Sequence, residues 1–303
     1  MLLLLVVSAC STPPPLPVAD EPPLKAVQVA LNWFAEPEFG GFYDAAVGNL
    51  YRYAGLDVTI VPGGPGVPVL ELLAAGRVDV ALSGADDLLV RRAKGLDAVA
   101  IFAGFQDSPV GLLTHAKGPS RYEDVTGPVA AEAGSPFQQF IWAKYQWEGK
   151  VTLLPTSGTI APFVANPEMA QQAYVTSEPC LAEAQGVAVE FLPAKAAGWN
   201  PYGSLAVVRG SEKSADWVKK FVEATQAGWE HYLVDPSRAN AEIIKANQEM
   251  GGGKIDCVVR RQAPFVRGSA GVGKLEAARF VELAAALTSV GVPVTAEGAY
   301  VER

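Results

Sequence analysis

Apolar positions along this chain fall in short runs that alternate with stretches of helical periodicity. Residues 27–32 predict a strand, and 39–53 place Phe42, Ala45, Ala46 and Leu50 on one face of a helix. Residues 56–61 predict a second strand, followed by a Gly-Gly-Pro-Gly turn at 63–66 and a short helix over 67–75. A strand at 78–83, a helix at 86–94 and a strand at 96–102 complete a first series. A second series begins near Gly127, with strands at 128–131, 151–154, 173–176 and 187–192 and helices at 136–145, 160–166 and 179–184. One more strand is expected at 205–209, followed only by helices at 215–235, 237–247 and 274–290. Strands alternating with helices of this length predict βαβ units and parallel sheets.

The strand at 205–209 has no helix just before it and too few strands after it to build a sheet of its own. It is therefore expected to return to the first sheet. The fold class is α/β, with a discontinuous lobe I (24–115 plus 204–303) around an inserted lobe II (116–203). Two such lobes joined by two crossovers place a ligand in the cleft at the carboxyl ends of their strands. Hinge closure is the motion open to that arrangement.

The first residues, MLLLLVVSAC, are an apolar run ending in Val7-Ser8-Ala9-Cys10. An apolar segment followed by small residues is a targeting signal, and small residues before a cysteine are the pattern of bacterial lipoprotein processing. Residues 1–9 are thus expected to be removed and Cys10 lipidated. Residues 11–23, with prolines at 13, 14, 15, 17, 22 and 23, read as an extended tether reaching roughly 3 Å per residue. Leu2 to Val7 are too few to span a bilayer, which needs about 20 apolar residues. The protein is expected in the cell envelope, on the outer side of a membrane and held by lipid alone.

Half of the chain is apolar and 18% is charged, enough apolar content for a large core. A net charge of −8 argues against nucleic acid or an anionic membrane face as a partner. With two histidines and three cysteines, no cluster has metal-ligand spacing, and no cofactor or metal is expected. Cys180 and Cys257 would fall in different lobes, where a bridge would lock the hinge; two free thiols are expected.

Several residues are placed for binding. Asn32, Trp33 and Phe34 end the first strand, where it meets the cleft; an indole offers a stacking face and an Asn both donor and acceptor. Trp33 is equally compatible with a core position. Ser135, Pro136 and Gln138 form a helix start with a capping box, whose free N–H groups point toward the cleft. Ser83 and Gly84, at a strand end, are further candidates. Asp86 and Asp87 are explained by a helix start, where carboxylates complement the dipole. Residues 268–274 imitate a phosphate loop, but Leu275 stands where Ser or Thr would bind Mg²⁺, so a plain glycine-rich loop is expected.

A spaced set of short motifs resembles the thiamine-pyrimidine family. It comprises Leu31-Asn32-Trp33-Phe34, Pro37, Gly41-Phe42-Tyr43, Ala54-Gly55-Leu56-Asp57-Val58, Gly63-Gly64-Pro65-Gly66-Val67 and Gly76-Arg77-Val78-Asp79-Val80-Ala81. It continues through Ala85-Asp86-Asp87, Lys94-Gly95, Gly134-Ser135-Pro136-Phe137, Tyr174-Val175-Thr176-Ser177-Glu178-Pro179 and Asn200-Pro201-Tyr202-Gly203. Members of that family are solute-binding lipoproteins of ABC importers for thiamine-precursor pyrimidines. Relatives bind riboflavin and other heteroaromatics, and others are fungal pyrimidine synthases.

The resemblance implies a type II periplasmic-binding-protein fold and a monomer with two partners, a small heteroaromatic ligand and an ABC permease. It implies that Trp33 and Tyr174 stack on a flat ring while Asn32 and Glu178 bond its polar edge; as a carboxylate does for Arg, Glu178 could accept two parallel bonds. Glu178 also fits as a helix-initiating acid, and Tyr202 either reaches the cleft or packs the hinge. Two departures stand out. Phe39-Gly40 replaces the family's His-Ala, adding an apolar surface where a polar contact would be. The cysteine-rich motif and active-site histidine of the fungal synthases are missing, so no enzyme activity is expected; the alternatives are a binder of riboflavin, sulfonate or another organic solute, or a pyrimidine-precursor synthase of the same fold.

Overall fold

The computed structural model describes residues 23–302. The expected signal peptide, the lipidation at Cys10 and all but the last residue of the tether lie outside them. Among the described residues, ten strands and eleven α-helices build two five-stranded sheets. The first half of lobe I contains β1 (Lys25–Ala30), α1 (Gly40–Val47), α2 (Leu50–Tyr53), β2 (Leu56–Val61), α3 (Val69–Ala74), β3 (Val80–Ser83), α4 (Ala85–Ala93) and β4 (Ala98–Phe105). Next come β5 (Val110–His115), β6 (Gly127–Ala131), α5 (Pro136–Tyr145), β7 (Val151–Pro155), α6 (Ala161–Ala165), β8 (Ala170–Tyr174), α7 (Glu178–Ala184) and β9 (Val189–Pro193). The chain returns through β10 (Gly203–Arg209) and finishes with α8 (Asp216–Tyr232), α9 (Ser237–Ala246), α10 (Lys254–Arg267) and α11 (Ala277–Ser289).

The sheets share one plan. In the first the order is β2-β1-β3-β10-β4, and in the second β7-β6-β8-β5-β9. Each has a parallel trio (β2-β1-β3 and β7-β6-β8) and an antiparallel fourth strand supplied directly by a passage from the other lobe. The expected return of the strand at 205–209 is what β10 does, between β3 and β4. The lobe boundary at 115/116 is corrected: residues 110–115 form β5, which pairs with β8 and β9 of the second sheet. No helix separates β4 from β5, so helix–strand alternation carried no mark of the change of sheet.

Packing follows from alternation along the strands, interrupted on β4 at Ile101, where the register with β10 shifts by one residue between Ala206 and Val207. On β4, Ala98, Ala100 and Ala103 face α4 and α11, while Ile101, Phe102 and Phe105 pack with Phe42, Phe221 and Trp229. Leu205 and Val207 of β10 join the first group, Ala206 and Val208 the second. The outer edge of β4 is closed by backbone bonds from Ala100 to Ala299 and from Val301 to Ala100, so it presents no bare ladder. The helix expected over 39–53 is broken in two because Asn49 adopts a left-handed conformation at φ +58° after Gly48.

Two further expectations are overturned. Residues 254–267 form α10, whose three preceding glycines and internal Pro264 disguised it as loop. Cys180 of α7 and Cys257 of α10 are bridged, with Cα atoms 5.9 Å apart. Helix α10 packs on lobe I through Ile255 and Val266 and lies against α7 of lobe II, where Arg261 also pairs with Glu183. The cysteines do lie on elements of different lobes, but α10 rests against α7 and brings them within bonding distance, so the hinge carries the bridge that was expected to be excluded.

The passages between lobes, 106–109 and 194–202, are bound together. Asp107 Oδ1 accepts from Asn200 Nδ2 and Lys195 Nζ, each at 2.9 Å, and Ser108 N donates to Asn200 Oδ1 at 2.9 Å. Desolvation would raise the Asp107 carboxyl, but these bonds hold it below its ordinary value. The Cys180–Cys257 bridge closes a loop of 77 residues. Cys180→Ser is expected to lower unfolding stability by about 2–4 kcal/mol, read from the guanidinium midpoint; an unchanged midpoint contradicts this.

Candidate functional site

Two adjoining cavities of about 100 and 260 Å³ lie between the lobes. They share Asn32, Trp33, Glu132, Gln172 and Tyr174 in their walls. Together they are of ligand size, since a cavity of about 150 Å³ already holds benzene. Trp33 comes from the loop after β1 in lobe I and Tyr174 from the end of β8 in lobe II. Two rings from opposite lobes thus border one space. The lobes approach each other beside the cavities, where Gly158 of lobe II lies close to Pro65 and Phe34 of lobe I. A Cβ at Gly158 would lie 2.8 Å from Pro65 Cγ, and its φ of +76° independently favours glycine.

Local chain chemistry positions these groups. Gly63 N donates to Trp33 O at 2.9 Å, and an added Cβ at Gly63 would lie 2.0 Å from Leu31 O. Glycine there lets the second strand's loop clamp the Trp33 loop. Trp33 is half-buried and meets Phe34 edge-on at 5.5 Å. Asn32 lines both cavities, and its Oδ1 has no hydrogen-bond partner among the described residues. Ser135 caps α5 by accepting from Gln138 N at 3.2 Å, and Gln138 Oε1 accepts from Gly134 N at 3.1 Å, a capping pair displaced by one residue.

The structure brings all seven candidates to the cleft, in different parts of it. Asn32, Trp33 and Tyr174 stand between the cavities, Glu178 lines the smaller, and Ser83, Ser135 and Tyr202 line the larger. Tyr202 is already engaged: its Oη accepts from Glu276 N at 3.1 Å and Arg279 lies 4.3 Å over its ring. Phe39 lines neither cavity and is packed in the lobe I core, so replacing the family's histidine adds no apolar surface to the cleft.

A match to the family described as NMT1/THI5 like covers residues 36–239, more than half of the chain. The protein belongs to the NMT1/THI5-like family. This NMT1/THI5-like chain is 24% identical over 270 residues to the formylaminopyrimidine-binding protein of Halalkalibacterium halodurans, covering 82% of this chain and 78% of the relative. Its fold is that of the periplasmic binding proteins. The alkanesulfonate-binding protein of Xanthomonas axonopodis pv. citri, bound to MOPS, superposes with a TM-score of 0.66 at 16% identity, over 93% of this chain and 100% of the other. The ligand-binding component of an ABC-type import system from Staphylococcus aureus, with zinc bound, gives 0.66 at 12% identity over 92% and 97%.

The site of this NMT1/THI5-like protein is rich in buried acid. Glu36, Glu38 and Glu178 all line the smaller cavity, with Glu132 at its edge. Ser177 Oγ of lobe II donates to Glu36 Oε2 of lobe I at 2.8 Å, an interlobe bond at the cavity wall. Burial pushes Glu36 up to about 7, a rise moderated by Ser177 and the Trp33 indole. Burial, compounded by Glu36, pushes Glu178 up to about 8, although Tyr174 N donates to its Oε2 at 2.7 Å. Glu38 is 7% exposed; burial and then its neighbours Glu36 and Glu178 hold it well above the usual carboxylate range. Sequence reasoning missed Glu36 and Glu38, since acids in a loop after a strand are ordinarily solvated and only the second lobe covers these two. Among the described residues no group of three His, Cys, Asp or Glu side chains is arranged to hold a metal ion.

A carboxyl with a raised native pKa keeps its proton in the fold at pH values where the unfolded chain has lost it. The native state then binds more protons between about 4.5 and 8, and stability falls as pH rises through that window. The urea midpoint of the ligand-free protein is expected to drop between pH 5.5 and 8, and to drop less in Glu178→Gln; equal slopes would contradict the burial of that carboxyl.

Proposed function

We infer that this protein is the extracytoplasmic solute-binding component of an ABC importer, and that it captures a small, flat, nitrogen-rich heteroaromatic compound. The observation that carries this is the pairing of Trp33 and Tyr174, from opposite lobes, around a cavity lined by Glu36, Glu38 and Glu178. Stacking on aromatic faces supplies affinity that depends little on ring substituents. The carboxyls choose among flat guests: an amino group beside a protonated ring nitrogen offers two parallel donors to one carboxylate. Such a guest restores the counter-charge that burial has removed, and the glutamates can release their protons on binding. Asn32, with its free acceptor, adds a contact to the ring edge.

The likeness to the formylaminopyrimidine-binding relative supports an aminopyrimidine as the guest. The fold is shared with a sulfonate binder, but acid in the cavity repels an anionic sulfonate, and the α5 start capped by Ser135 opens onto further acidic residues. Lobe closure presents to a permease a shape that the empty protein lacks. No bond is made or broken in this cycle. The Cys180–Cys257 bridge supports an oxidising compartment, and Cys10 provides the lipid anchor.

Trp33→Ala is expected to weaken binding of an aminopyrimidine about tenfold or more while barely changing Tm, since Trp33 is only half-buried. Calorimetric titration and thermal melting check it; loss of the fold would make Trp33 a core residue. In a thermal-shift panel aminopyrimidines should raise Tm and alkanesulfonates should not, and the reverse pattern would remove the reading. Cys10→Ser is expected to move the protein from the membrane fraction to the soluble one.

A further inference from the structure

The start of α7 belongs to lobe II by its place in the chain, yet it is fastened to lobe I. Ser177 Oγ donates to Glu36, Cys180 is bridged to Cys257 of α10, and Glu183 pairs with Arg261 of the same helix. Leu181 packs against the lobe I core. Glu178, the first residue of α7, lies two positions before the bridged cysteine and lines the smaller cavity. The lobe I acids of that cavity are tied to α10 as well. Gln262 is fully buried, and its Nε2 donates at 3.0 Å to the carbonyl of Pro37, the residue between Glu36 and Glu38. Asn247 Nδ2 holds the neighbouring Ala35 carbonyl at 3.1 Å. Gln262 follows Cys257 by five residues, about 7.5 Å along the helix axis. One short stretch of helix therefore grips both acid-bearing segments, α7 through sulfur and 36–38 through an amide.

We propose that α10 is a strap that keeps Glu36, Glu38 and Glu178 at one spacing while the lobes part, so that the acidic end of the smaller cavity is assembled before a ligand arrives. The Cys180–Cys257 bridge and Gln262 are its positioning groups, and neither lines a cavity. A ligand meets its polar partners first, and closure of the remaining cleft follows. The site is ordered when the chain folds and oxidises rather than when the ligand binds, so less affinity is lost to fixing it. This inference rests on the reading of the smaller cavity as the ring site.

The test compares the oxidised protein with the same protein treated with an excess of a dithiol, which closes to a cyclic disulfide as Cys180 and Cys257 each gain an electron and a proton. Cys257, half-buried where Cys180 is buried, is the sulfur open to attack. By titration calorimetry 4-aminopyrimidine should bind the reduced form about fivefold or more weaker, and reoxidation should restore the original affinity. Amide exchange of the ligand-free protein adds a readout that needs no ligand. The Phe39 amide, bonded to Glu36 O at 3.0 Å, should exchange about tenfold or more faster after reduction, with β6 unchanged. Equal affinity of the two forms overturns the strap and leaves the ring reading standing; weaker binding that reoxidation does not restore also overturns the strap. An unchanged Phe39 rate, or β6 accelerated as much, overturns it whatever the probe does. Binding by neither form removes the ring reading and leaves the exchange to decide the strap. Should the reduced protein lose its fold, Gln262→Met, which keeps the bridge, takes its place: binding about threefold or more weaker supports the strap, and unchanged binding overturns it.

Discussion

Asn200 sits where the two passages between the lobes come together. Its side chain bonds Asp107 and the Ser108 backbone, and its carbonyl accepts from Arg279 at 2.8 Å. Because each passage feeds the antiparallel strand of its sheet, a shift at this junction is carried directly into β5 and β10. The carboxyl ends of β1, β3 and β8, with the residues that follow them, are thereby held facing one another across a narrow gap. Trp33, Ser83, Tyr174 and Glu178 owe their common location to that arrangement, since no local sequence preference would assemble them.

The gap concentrates charge of one sign. A chain of net charge −8 disperses most of its carboxylates over solvent, but it places Glu36, Glu38 and Glu178 where water is scarce. Their raised protonation is the physical record of a missing counter-charge. A protein that only needed to fold would fill such a place with apolar side chains, which cost nothing to bury. The acids are therefore intelligible as half of an interaction whose other half arrives in solution. The interlobe bond from Ser177 to Glu36 adds that the acids take part in closure.

Much of the framework was legible in the residues. Strand β2 follows clean alternation, and helix α5 announces itself through Ser135, Pro136 and Gln138, so both were placed within a residue. Strand β5 was not legible, because Val110-Gly111-Leu112-Leu113 looks like a continuation of the first lobe and the change of sheet is a tertiary event. Helix α10 was hidden by glycines at its start and a proline near its end. At the site, Trp33 and Tyr174 could be found from strand ends and motif likeness. Glu36 and Glu38 could not be singled out by charge, because an acid in a loop is ordinarily solvated and only the covering second lobe makes these two unusual.

The covalent link between α7 and α10 leaves a mark on how the halves can move. Phe265 of α10 accepts from Gln106 N at 2.7 Å, so that end of the helix is fastened to the junction. Cys257 lies eight residues earlier, about 12 Å along the axis. A body held at two points keeps one rotation, about the line through them. The oxidised molecule is thus a door on a fixed pin, the pin running along α10, where two flexible strands alone would leave it swinging and twisting freely. Fewer open shapes mean less disorder to surrender when a guest is enclosed.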